Sequence, residues 1–205
     1  MCAQKIHPVK EPLCKKCGKP LEREEAEYCG DCSRRKHVYA QGRAALEYDA
    51  LMRGSVSRYK YQNRREYADF YVQELIRNCG AAVKSWEPEA LIPIPLHKSR
   101  QRKRGFNQAE LVAKGLGRNL GIPVYSGWLV RVKKTRPQKE LNDSERKQNL
   151  KNAFQLTRND VRLKKVLLID DIYTTGSTID ATAALLREYG VEKVYFLSIC
   201  IGRGY

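Results

Sequence analysis

The chain has 205 residues, 39 Lys/Arg against 23 Asp/Glu, and a formal net charge of +16. Its length fits one α/β domain of moderate size plus a small appendage. No apolar run reaches transmembrane length, and the first ten residues lack the apolar core of a signal peptide. Seven cysteines, an odd number with four in two close pairs, argue against a secreted disulfide framework and for a reducing, cytosolic setting.

Residues 1–36 carry Cys14-x-x-Cys17 and, eleven residues later, Cys29-x-x-Cys32. Two such knuckles supply four thiolates for one tetrahedral zinc, with Gly18 and Gly30 close behind their cysteines as tight knuckles require. So few large apolar residues cannot build a core, so the metal supplies the folding energy of a small zinc ribbon. A closed four-sulfur site is structural. His7 and His37 are expected at the surface, outside the ligand set. Cys2, Cys79 and Cys200 lack metal spacing, and the latter two sit on apolar patterns that belong in a core.

Residues 37–205 form the second domain. Ala44–Tyr48 is a short strand, and Asp49 starts a helix. Tyr59-Lys60-Tyr61 is an aromatic–basic cluster. A helix from Arg64 to Ala82 aligns Tyr67, Tyr71, Leu75 and Cys79 on one face. Ala90–Leu96 is an apolar strand that Pro93 and Pro95 turn into a loop, presenting Leu96, His97 and Lys98. Four cations follow within five residues, Arg100, Arg102, Lys103 and Arg104. They suit pyrophosphate, a nucleic-acid backbone, or plain solvation. Phe106 packs inward or, if exposed, stacks on a base. The next helix spans Asn107–Leu120. Its G-L-G lies inside the helix with the wrong spacing for a dinucleotide fingerprint.

Pro123–Val132 reads as a strand, 133–142 as a basic loop, and 144–150 as a short helix with Asn142 and Glu145 placed as a capping box. The stretch 131–146 adds Arg131, Lys133, Lys134, Arg136, Lys139 and Arg146. Residues 98–165 hold 19 Lys/Arg against 5 Asp/Glu. The basic excess is therefore local, and it suits a polyanion, pyrophosphate or nucleic acid.

Val166–Thr178 reads V-L-L-I-D-D-I-Y-T-T-G-S-T. A buried parallel strand over Lys165–Asp170 ends on two carboxylates, and a small hydroxyl-rich loop opens a helix over Ser177–Tyr189. Sites in open α/β sheets lie at the C-terminal ends of strands. The free N–H groups and dipole of a helix N-terminus favour phosphate. Carboxylates beside such a cradle suit sugar hydroxyls and Mg²⁺. A P-loop acid pair is excluded, since no G-x-x-x-x-G-K-[ST] occurs. Gly190 ends the helix and Lys193–Ile201 is the last strand. The alternation predicts an open, mainly parallel sheet with helices on both faces.

The signature resembles the PRPP-binding motif of type I phosphoribosyltransferases. By position it implies that the acids Asp170 and Asp171 are the catalytic pair and meet the ribose hydroxyls, with Mg²⁺ bound alongside PRPP. It assigns the 5′-phosphate to Thr174, Thr175, Gly176, Ser177 and Thr178. Leu96, His97 and Lys98 fall where that family places its pyrophosphate loop. With the four-cysteine ribbon, Y-K-Y, P-I-P-L, R-G-F-N-Q-A-E and T-x-P-Q in this order, nearly the whole chain resembles the ComF (ComFC-like) competence family. That resemblance implies handling of incoming single-stranded DNA at the inner face of the cytoplasmic membrane. Its implied partners are a helicase-like translocase and a recombination mediator. The DNA rim is expected at Arg100, Arg102, Lys103, Arg104, Lys133, Lys134 and Arg136. Two other readings stay open: an active phosphoribosyltransferase with a nitrogenous acceptor, and a PRPP-sensing nucleic-acid-binding regulator.

Overall fold

The computed structural model describes residues 6–133, 150, 152–157 and 162–202. The ribbon contributes α1 (Gly30–Arg34), and β1 (Gln41–Glu47) begins the sheet. Asp49 caps α2 (Ala50–Tyr61) by accepting from the Met52 N–H at 2.8 Å. Helix α3 (Tyr67–Trp86) runs four residues beyond the predicted end, because Val83 and Trp86 continue its buried stripe of Tyr71, Val72, Leu75 and Cys79. It stops where Pro88 bars a helical Glu87. Trp86 then stacks on Tyr195 with ring centroids 4.9 Å apart.

Strand β2 (Ala90–Pro93) is shorter than predicted, and α4 (Lys98–Arg104) replaces the expected loop. Helix α5 (Gln108–Leu120) matches the predicted stretch, with Asn107 as its N-cap, the side chain accepting the Ala109 N–H at 3.2 Å. Its G-L-G has a packing role: a Cβ on Gly115 would lie 2.6 Å from Val72 of α3, so only glycine lets these helices approach. Of the predicted 123–132 strand only β3 (Leu129–Arg131) forms, antiparallel to β4 (Phe154–Leu156). Val124 makes a lone bridge to Leu91. The expected 144–150 helix and its capping box lie outside the described residues, Leu150 apart. Strand β5 (Lys165–Tyr173), α6 (Ser177–Glu188) and β6 (Lys193–Ile201) complete the order.

The main sheet runs β1-β6-β5-β2 with every pairing parallel. Strand β6 is buried along eight of its nine residues, which is why its sequence is nearly continuous in apolar residues. Leu167, Ile169, Tyr195 and Leu197 share a cluster with α3 and α5. Val166, Leu168, Val194 and Phe196 share the other with Ile179 and Ala183 of α6, with Phe154, and with Cys14, Cys17 and Tyr39. Helices thus cover both faces, and the ribbon packs on the second face beside α6. Each fully buried Leu or Phe in these layers contributes about 1.5–3 kcal/mol.

Candidate functional site

The sheet opens where the acid pair stands. Ile169 is the last β5 residue paired with β2, and the Ile94 N–H donates to the Ile169 carbonyl at 2.9 Å. Pro95 has no N–H to extend the ladder, so the chain leaves the sheet there. Among the described residues, strand β5 continues alone on that side to Tyr173, held by β6 through Ile172–Cys200 and Tyr173–Ile201. It is three residues longer than predicted, so the acids lie within the strand. Asp170 and Asp171 stand at the resulting crevice, the site expected of an open α/β sheet.

Both carboxylates are part-buried. Desolvation, with the Asp171 charge next to it, pushes the Asp170 carboxyl up to about 7. Its Oδ1 accepts the Asp171 N–H at 2.8 Å. Lys60 Nζ lies 2.9 Å from Asp171 Oδ2, in a pair less than one-fifth exposed on either side. Arg131 is 8% exposed, and its guanidinium is pushed down to about 10 by burial and by the Arg100 charge, with Asp170 opposing. A backbone bridge joins His97 to Arg131, whose guanidinium lies 5.4 Å over the Phe154 ring. Sequence reasoning left Lys60 and Arg131 out of the acid site. The Y-K-Y cluster was a signal for the first, but no spacing places Lys60 against a carboxylate 111 positions on.

Thr174–Thr178 forms the turn into α6. Gly176 is its N-cap at φ +79°, where a Cβ would lie 2.8 Å from the Tyr173 hydroxyl. Glycine is required there on both counts. Thr175 Oγ1 and Ser177 Oγ sit 3.0 Å apart, and Thr174 is exposed. A cavity of about 640 Å³ runs along the flank of α6. Thr175 and Ser177 line it, together with His37 and Asp180, whereas the acid pair does not.

Of the pyrophosphate-loop residues, Leu96 and His97 precede α4 and Lys98 is its first residue. His97 caps the helix, its Nδ1 accepting from the Ser99 N–H at 3.2 Å. Arg100, Arg102, Lys103 and Arg104 therefore sit on a helix, because Gly105 at φ +77° terminates a regular turn there. None of α4 is buried. Arg104 lies 4.9 Å over the ring of Tyr61, which is 64% exposed, and donates to its hydroxyl at 3.1 Å. Tyr59 and Phe106 are core, packed against each other. Tyr61 is thus the exposed aromatic of the three candidates. Lys133 is exposed after β3, while Lys134 and Arg136 lie outside the described residues.

In the ribbon, the sulfurs of Cys14, Cys17, Cys29 and Cys32 lie within 4.8 Å of one another, Cys17 and Cys29 at 3.7 Å. Tetrahedral zinc with bonds of about 2.3 Å needs sulfurs about 3.8 Å apart. The cluster fits, and it is a structural zinc site. Gly18 takes the positive φ expected of a knuckle. Gly30 does not, because it opens α1. His7 is exposed and bonds to Asp49. The expected surface position of His37 is wrong: its side chain is 2% exposed and bonded to Asp180. Cys79 and Cys200 are core, as predicted. Among the described residues no helix is long and apolar enough to cross a membrane.

Residues 102–204 match the model of the phosphoribosyl transferase domain, and residues 1–33 match the double zinc ribbon domain. Competence protein F of Haemophilus influenzae is 35% identical, with 94% of this chain and 92% of that protein covered. DNA utilization protein YhgH of Salmonella typhimurium is 30% identical, covering 98% and 88%. Competence protein ComFC of Bacillus subtilis is 29% identical, covering 92% and 77%. The chain belongs to this family of competence and DNA-utilization proteins, which join a zinc ribbon to a phosphoribosyltransferase-type domain.

Proposed function

We propose that this protein binds PRPP with Mg²⁺ at the β5 crevice and holds single-stranded DNA on the adjoining basic surface, acting on incoming DNA during natural transformation. The observation that carries the reading is the Asp170–Asp171 pair standing at the open edge of β5, followed at once by the Gly176-capped helix. In this reading the two carboxylates accept from the ribose 2′- and 3′-hydroxyls. The N–H groups of 175–178 and the hydroxyls of Thr174, Thr175 and Thr178 hold the 5′-phosphate. Lys60, His97, Lys98 and Arg131 face the diphosphate end. Mg²⁺, bound with PRPP, neutralises diphosphate charge near the acids.

Single-stranded DNA lies along α4 and Tyr61. Arg102 and Lys103 meet phosphates, and the Tyr61 ring, backed by Arg104, stacks on a base. The competence role rests on the names of the relatives, and a translocase and a recombination mediator are its partners. Peripheral association with the inner membrane face follows from the same reading.

Calorimetric titration of PRPP in Mg²⁺ tests the site. Wild type is expected to bind, and Asp170→Asn/Asp171→Asn to lose binding. Equal affinity in both would overturn the assignment. Pyrophosphate release in the presence of amine and nucleobase acceptors would instead establish an active transferase.

A further inference from the structure

The segment that leaves the zinc ribbon forms the floor of the 174–178 loop. Between the ribbon's first two cysteines, the Lys16 carbonyl accepts the Gly42 N–H at 2.9 Å and the Lys15 carbonyl accepts from Gln41 Nε2 at 2.8 Å. The knuckle therefore sets the position of β1 and of Tyr39 just before it. Tyr39 is fully buried, and its hydroxyl lies 2.7 Å from that of Tyr173. Burial pushes both phenols above their ordinary range, so they meet as neutral hydroxyls. Tyr173 directly precedes the loop, and its hydroxyl stands 2.8 Å from where a Gly176 Cβ would be.

A second route runs through His37. Its ring stacks on Tyr39 at 4.8 Å, and its Nδ1 lies 2.7 Å from Asp180 Oδ2 in the first turn of α6. Asp180 Oδ1 accepts the Val38 N–H at 2.8 Å. The His37 ring also stands 3.2 Å from where a Gly176 Cβ would be, and its buried Nε2 has no hydrogen-bond partner. The side chains of His37 and Tyr39 and the backbone N–H of Val38 between them thus grip both ends of the turn.

We propose that His37 and Tyr39 are positioning residues of the phosphate loop, so that an intact four-cysteine site sets the loop's affinity for a phosphomonoester. This rests on the reading of 174–178 as a phosphate loop. The ribbon is then part of the binding site's scaffold.

The test uses full-length zinc-loaded protein and two probes, ribose 5-phosphate and inorganic pyrophosphate. Tyr39→Phe and Tyr173→Phe each remove the shared hydrogen bond while keeping shape. Each should weaken ribose 5-phosphate binding about 2- to 10-fold, the value of one such bond, with zinc content unchanged. Pyrophosphate, which meets the other end of the crevice, should bind as before. His37→Ala should act in the same direction, and His37→Asn, which restores a donor to Asp180, should recover most of the loss. Independently of any ligand, the amide resonances of 175–178 should move in Tyr39→Phe and on chelation of zinc. Unmoved amides, or equal loss of both probes, would overturn the coupling. Moved amides in a wild type that binds no ribose 5-phosphate would leave the coupling standing and sink the phosphate reading.

Discussion

Asp170 should cost the protein stability, and its neutralisation should make the protein sturdier while weakening the proposed PRPP binding. The carboxyl is pushed from an ordinary 3.8 up to about 7 by burial and by Asp171. Between those values the native state keeps a proton that the unfolded chain releases, so stability falls as pH rises from about 4 to about 7 and is flat above. A shift of about three units corresponds to at most about 4 kcal/mol at 1.36 kcal/mol per unit. The side chain is part-exposed, so solvent screening reduces that figure, and a gain of about 1–3 kcal/mol is expected for Asp170→Asn at pH 8. Asn Oδ1 still accepts the Asp171 N–H, so no buried donor is orphaned. Urea unfolding at pH 5.5 and pH 8, with zinc present, reads the effect. The advantage of the variant should grow by up to about 2 kcal/mol between the two conditions. A variant less stable than wild type at pH 8, or an advantage independent of pH, would refute the reasoning.

The same ionisation should govern ligand affinity. In the proposed PRPP–Mg²⁺ site the acids bind as carboxylates, so calorimetry should find affinity rising from pH 6 to 7.5 and level beyond pH 8, about one unit past the Asp170 midpoint. Elemental analysis should find about one zinc per chain, and Cys17→Ser should lose it and unfold the ribbon, since four thiolates close the site. Neutralising Arg100, Arg102 and Arg104 together should weaken single-stranded DNA binding in fluorescence anisotropy and flatten its salt slope. Tyr61→Ala should cost about 1–3 kcal/mol with the slope unchanged, as loss of stacking predicts. Normal binding by both variants would make α4 a solvated surface. Gly115→Ala should lower stability by about 1–3 kcal/mol in thermal unfolding, because its Cβ meets Val72.

Local chemistry alone placed much of this protein. The two C-x-x-C knuckles specified the ribbon, because thiolate count and spacing are properties of a short segment. The β5 run with its acids and small loop specified the crevice, because strand, carboxylates and helix start are contiguous. Asp49 marked the start of α2, and the bounds of β6 followed from its nearly continuous apolar run.

Other features depended on residues far apart in the chain. A run of six residues with four cations reads as a loop, yet a His97 cap and a Gly105 stop make it a helix. Glu87 before Pro88 ended α3 late because Trp86 found Tyr195 on a strand at the other end of the chain. Lys60 met Asp171, and Arg131 was set beside Asp170, only once the parallel sheet brought their elements together. His37 looked like a spare surface donor. It became buried because β1 pairs with β6, which lays Tyr39 and His37 against α6. Which charges are paired and which aromatic is exposed depends on long-range register, and no local pattern encodes it.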